Sequence, residues 1–149
     1  MTAFTGDQVR RYSRHVLLPD VGGTGQARLL RASAVVDGSG TTGRIAALFL
    51  VAAGVGTVFV DGPLEATVRA ARFPLGPGDT GRGLAEALAG ALGGLNPDVR
   101  VVIGPAPAGT PRVRVDADDA DDLPLAQAFA RGGAATSAFV HRLAVGEGA

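Results

Sequence analysis

The residues in this chain whose spacing could do chemistry are three glycines, Gly38, Gly40 and Gly43, set at G-x-G-x-x-G in the stretch VVDGSGTTG. A short apolar run precedes them and a helical pattern, RIAALFLVAAG, follows. In a strand–turn–helix of this kind the first glycine permits the tight turn. The second lets backbone approach a phosphate, and the third lets helix and strand pack closely. The opening turn of the helix adds free N–H groups and a partial positive charge. Asp61 lies 21 positions after Gly40, at the end of TVFVD, where an acid accepts hydrogen bonds from ribose hydroxyls. Asp37 stands immediately before the first glycine. A carboxylate within ~6 Å of a triphosphate costs about one kcal/mol if water reaches it and several if it does not. Read alone, the loop is compatible with ATP, with a dinucleotide, or with a tight turn where three of the chain's 23 glycines fall in register by chance.

The elements that must position these residues follow from pattern. TGDQ at 5–8 fits a capping box, with Thr5 at the N-cap and Gln8 three residues on, opening a helix through QVRRYSRHV. Pro19 and the glycines of PDVGGTG break it, and QARLLRA forms a second short helix. SAVV is a buried strand, 44–53 an apolar helix and TVFVD (57–61) a second strand. Residues 64–81 form a Gly/Pro-rich loop region, and GLAEALAGALGGLNP is a helix stopped by Gly93-Gly94 and Pro97. VRVVI (99–103) and RVRVD (112–116) are the third and fourth strands. DLPLAQAFARGG is a helix with a glycine stop, and TSAFVHRLAV a last strand. The alternation implies an α/β fold: a Rossmann-like three-layer sandwich with a mostly parallel sheet. Its 149 residues form a single domain, a helical arm over 1–32 and an α/β core over 33–145.

Composition bounds the function. Acidic and basic side chains balance at 14 each, which gives no bulk electrostatic reason to expect nucleic acid or an anionic membrane as partner. No apolar run approaches the roughly 20 residues of a membrane span, and MTAFTGDQVRRYSRH has no signal-peptide core, so the cytoplasm is the expected compartment. Cysteine is absent, which removes thiol nucleophiles and thiolate zinc sites. Every basic residue is arginine, so no lysine can face a phosphate or form a Schiff base. His15 and His141 lack neighbours at metal-ligand spacing, and Ser13, Ser39 and Ser137 lack a nucleophile-elbow context. The acidic run Asp116, Asp118, Asp119, Asp121 and Asp122 suits a helix start.

RYSRHVLLPDVGGTGQARLL, followed by the glycine loop, LVAAGVGTVFVD and GLNPDVRVV, resembles the ThiF/MoeB adenylyltransferases, relatives of the ubiquitin-activating enzymes, over about residues 8–140. The resemblance implies ATP and magnesium as cofactors, a homodimer, and a ubiquitin-like sulfur-carrier protein whose C-terminal Gly-Gly is activated as an acyl-adenylate. It implies that Gly38, Gly40 and Gly43 face the phosphates and Asp61 the ribose. By the same resemblance Arg14 reaches into the partner subunit's site, Arg72 contacts ATP phosphates, and Asp119 holds magnesium. Such a transfer needs charge neutralisation and in-line positioning more than covalent help from protein.

Departures from the family pattern accompany it. Thr41 replaces a loop glycine, Leu64 the second acid, Arg69 an asparagine and Leu84 the phosphate-binding lysine. The paired C-x-x-C zinc motifs and the transfer cysteine are missing. The expectation is therefore an adenylyltransferase relative with impaired or lost catalysis. The alternative is a non-catalytic dimeric scaffold or regulatory partner. An NAD-binding oxidoreductase, which the glycine loop alone permits, is opposed by the R-Y-S-R-H segment.

Overall fold

The computed structural model describes residues 4–70, 72–115 and 123–147. Its elements are α1 (Gly6–Val16), α2 (Gly22–Arg31), β1 (Ser33–Asp37), α3 (Thr41–Ala53), β2 (Thr57–Asp61), α4 (Leu84–Gly93), β3 (Arg100–Ile103) and α5 (Leu125–Val145). The strands form one parallel sheet in the order β1-β2-β3. The α/β class expected from the alternation is the one observed. The register sets Asp37 opposite Asp61 at the carboxyl ends of β1 and β2, so both acids reach the crevice where open parallel sheets hold ligands.

Each βα unit buries one strand face. Ala34, Val36, Val58 and Val60 pack with Leu50 and Val51 of α3 and Leu88 and Leu92 of α4 in one apolar cluster. Two successive right-handed crossovers between neighbouring strands place α3 and α4 on that same face. A glycine sets the spacing at the end of α3. Gly54 ends the helix at φ 82°, and a Cβ there would lie 2.7 Å from the Tyr12 ring.

The N-terminal arm is fastened by polar contacts. Thr5 and Gln8 form the expected capping box. Tyr12 is fully buried, and Asn96 donates to its hydroxyl at 3.0 Å and to the Val51 carbonyl at 2.9 Å. Burial pushes the Tyr12 hydroxyl above its usual pKa, and the Asn96 hydrogen bond acts in the opposite direction. Gln8 and Arg11 both donate to Asp98, in the turn before β3.

Three sequence expectations are corrected. Residues 112–115 form no fourth strand: only Arg112 makes a parallel bridge, to Val35, and residue 116 lies outside the described residues. The segment still flanks β1, with Val35 donating to the Pro111 carbonyl and accepting from Val113. The last strand is instead the second half of α5, which runs unbroken through Gly132 and Gly133. Its buried residues Ala128, Gly132, Thr136 and Phe139 recur at helical spacing. Gly132 is a packing residue, because a Cβ there would sit 3.0 Å from both Ile45 Cγ2 and the Thr42 carbonyl of α3. Finally, α2 starts at Gly22, so the glycines read as breakers belong to its first turn.

Candidate functional site

The glycine loop has the shape its spacing implies, and several of its polar groups are engaged from within the chain. Gly43 is demanded by close approach, since a Cβ would lie 1.7 Å from the Asp37 carbonyl oxygen. At Gly38 it would lie 2.3 Å from Val60 Cγ1. Gly40 is the N-cap of α3 and supplies no side-chain cap. Asp37 Oδ1 accepts the Ser39 N–H at 2.8 Å and the Ser39 hydroxyl at 2.6 Å. Gly62, at φ 109°, leaves room for this carboxylate: a Cβ there would meet Asp37 Oδ1 at 2.5 Å. From the first turn of α3, Arg44 folds back, donating to the Gly38 carbonyl at 3.0 Å and the Ser39 carbonyl at 2.5 Å. It is buried. The neighbouring Thr41 and Thr42 hydroxyls are buried without a hydrogen-bond partner.

The second acid is engaged as well. Arg112 clasps Asp61 with both terminal nitrogens, at 2.9 and 2.5 Å, the fork geometry that suits a guanidinium to a carboxylate. The Arg112 guanidinium is held above its usual pKa, first by these hydrogen bonds, against the opposing effect of burial, and then by the charges of Asp61 and Asp37. One arginine beside β1 thus balances two carboxylates on adjacent strands.

Two pockets border the crevice. One, of about 490 Å³, is walled by Asp61, Leu64, Glu65, Ala85 and Ile103. The other, of about 240 Å³, is lined by Ser39, Arg44, Thr67, Arg69 and Leu84 among others. Leu64 and Leu84 are both buried members of the core, so these two positions serve packing.

The pattern of the ThiF family matches residues 12–123. The chain belongs to the ThiF family. Among curated relatives it is 38% identical over 102 residues to the probable adenylyltransferase/sulfurtransferase MoeZ of Mycobacterium tuberculosis (strain CDC 1551 / Oshkosh), covering 67% of this chain and 26% of that protein. It is 41% identical over 96 residues to the SAMP-activating enzyme E1 of Haloferax volcanii, covering 63% of this chain and 36% of that one. It therefore spans about a quarter to a third of the length of these relatives. The structure of E. coli tRNA N6-threonylcarbamoyladenosine dehydratase in complex with AMP superposes with a TM-score of 0.57 at 20% identity, covering 69% of this chain and 42% of that one. At that identity the likeness concerns the fold.

Within this ThiF-family domain, Gly38, Gly40, Gly43 and Asp61 converge as the spacing implies. The other expected site residues do not join them among the described contacts. Arg14 is exposed on α1, with no ion-pair or hydrogen-bond partner among the described residues. Arg72 donates to the Leu123 carbonyl at 2.9 Å, while Arg69 lines the pocket beside the glycine loop. Asp119 and the rest of the acidic run lie outside the described residues.

No group of three or more His, Asp or Glu side chains suited to a metal occurs among the described residues. Asp37 is bonded to Ser39 and both Asp61 oxygens to Arg112. These acids do not offer the open oxygen set that magnesium takes.

Sequence reasoning overlooked Arg44 and Arg112. A lone arginine in the apolar run TTGRIAALF is a signal for the first, since a charge there must find partners or leave the core. For Arg112 the signal is fainter: it lies 51 residues from Asp61, and only the pairing of its segment beside β1 brings them together.

Proposed function

We propose that this chain is a nucleotide-site relative of the sulfur-carrier adenylyltransferases in which adenylation is impaired or lost. The observation that carries this reading is the Asp37 carboxylate accepting both the amide and the hydroxyl of Ser39. In an adenylating site the loop amides cradle phosphate, and fixed positive charge stabilises the negative charge that develops as pyrophosphate departs. Here the chain's own carboxylate takes the amide and sets a negative charge at the same place. Arg112 sits on Asp61, so ribose hydroxyls must compete with a bidentate guanidinium. Leu84 supplies no charge.

The names of the relatives support ubiquitin-like sulfur carriers as the partner class. The family resemblance, by which Arg14 reaches into a partner subunit's site, supports a homodimer in which α1 meets a second copy, and Arg14 is exposed on that helix. A dimeric scaffold or regulatory role is the second reading, and the engaged state of both loop acids favours it.

The test is ATP–pyrophosphate exchange with ubiquitin-like sulfur carriers ending in Gly-Gly. Exchange is expected at the level of a carrier-free blank. Carrier-dependent exchange above that blank would make this chain a working adenylyltransferase and overturn the reading.

A further inference from the structure

The last turns of α3, at the opposite end of that helix from the glycine loop, form one wall of another cavity, of about 320 Å³. The other walls come from α5 and from His15 of α1. Its volume falls at the lower end of the roughly 300–1,000 Å³ of small-molecule sites, which are mostly apolar with a few placed polar groups. The lining has that make-up. Phe49, Ala52 and Val140 are apolar, and no carboxylate or arginine stands among the described lining residues. The Thr136 hydroxyl is already used, donating to the Ala46 carbonyl at 3.4 Å. Ser137 is exposed to water. His15 is therefore the polar group that decides what the cavity takes.

The state of His15 follows from its neighbours. Gln26 is fully buried. A carbonyl oxygen only accepts, so the contact of Gln26 with the Ala53 carbonyl, at 3.0 Å, is made by its amide nitrogen. That leaves Gln26 Oε1 facing His15 Nδ1 at 2.9 Å. An amide oxygen also only accepts, so Nδ1 carries the proton and donates. In the neutral ring Nε2 is then an acceptor, and it has no hydrogen-bond partner among the described residues. The buried Tyr12 ring steadies the imidazole from a second side, with centroids 6.0 Å apart. The result is an oriented imidazole in the wall of an apolar cavity, with its accepting nitrogen unused.

We propose that this cavity is a small-molecule site for a flat, uncharged molecule of the phenol class, and that His15 Nε2 accepts the hydrogen bond of its hydroxyl. An uncharged ligand suits a lining without carboxylates or arginines. An aromatic ring suits the Phe49 side chain and the space left by Ala52, Ala53 and Gly133. The site lies away from the glycine loop, so it stands whether or not the chain adenylates a carrier.

The probe is β-naphthol, with its methyl ether as the control that keeps the rings and loses the donor. Both are titrated in mildly alkaline buffer, which keeps imidazoles neutral. Binding is followed by the probe's own fluorescence, which the chain scarcely obscures because it has no tryptophan and one tyrosine. The unmodified chain is expected to bind β-naphthol saturably and about threefold to tenfold more tightly than the ether, the worth of one hydrogen bond. Ala52→Leu, at an exposed position of the wall, is expected to weaken both probes by about tenfold, because it fills the space the rings need. His15→Phe is expected to bring the two probes to the same affinity. Nitrogen NMR of the parent needs no variant: His15 Nε2 is expected to be the unprotonated ring nitrogen, and to shift with β-naphthol but not with the ether. That readout decides the matter even where His15→Phe, which leaves buried Gln26 without its partner, fails to fold. No saturable binding by the parent, equal affinity of the parent for the two probes, or a proton on Nε2 of the neutral ring would each overturn the proposal. Binding untouched by Ala52→Leu would place the probe elsewhere and overturn it too.

Discussion

Asp37→Val is expected to tighten ATP binding by tenfold to about a hundredfold. Two effects act in the same direction. The substitution removes a negative charge beside the phosphate position, a repulsion of about one to three kcal/mol in a partly desolvated site. It also frees the Ser39 N–H, now bonded to Asp37 at 2.8 Å, to face a phosphate oxygen. Valine suits the end of a strand in which Val35 and Val36 precede it. Arg112 keeps its bidentate partner Asp61, so the guanidinium stays in place. Asp37→Asn separates the two effects: it removes the charge but leaves an oxygen able to hold Ser39, and it is expected to gain less than valine. Calorimetric titration of ATP into both variants checks the order. No gain from either would mean that the backbone of the loop, and not its charge, excludes the nucleotide.

Gly43→Ala is expected to abolish cooperative folding. An alanine Cβ would lie 1.7 Å from the Asp37 carbonyl oxygen and 2.9 Å from its carbon, and both are backbone atoms at the half-buried end of β1. Relief requires the first turn of α3 to move away from β1, although Ile45, Ala46, Ala47 and Leu50 of that helix are fully buried. Overpacking of ordinary cores costs about 1–3 kcal/mol. A backbone clash of this depth belongs with the exceptional losses above about 4 kcal/mol, comparable with the whole stability of a small domain, roughly 5–15 kcal/mol. Gly90→Ala is the internal control. It lies inside α4, and nothing is within 4 Å of its Cβ position. There the helix preference for alanine is expected to add about 0.5–1 kcal/mol. Thermal melts of the two variants should move in opposite directions. A Gly43→Ala chain that melts like the parent would contradict the close helix–strand approach.

Local signals in the sequence were legible where one physical constraint dominates. The Thr5–Gln8 capping box, the βα turn at Gly38–Gly43 and the strand 57–61 follow from caps, glycine spacing and apolar runs, and each is found where those signals place it. The second half of α5 was misread because two adjacent glycines resemble a helix stop. Their role depends on α3, which packs against Gly132 from far along the chain. Likewise the positions of Asp37 and Asp61 were readable, but their partners were not. That Asp37 bends onto Ser39 depends on the space left by Gly62, and the clasp on Asp61 comes from Arg112 beside β1. Register with a family pattern singled out Arg72, which donates to the Leu123 carbonyl, and Arg69 lines the pocket beside the glycine loop.

The proposed function puts the chain's own carboxylate where a nucleotide phosphate would bind. Calorimetric titration of ATP, with and without magnesium, into the unmodified chain tests it most directly. The expected result is a dissociation constant no tighter than about 1 mM, little more than 4 kcal/mol of binding free energy. A micromolar constant, achieved with Asp37 in place, would contradict it.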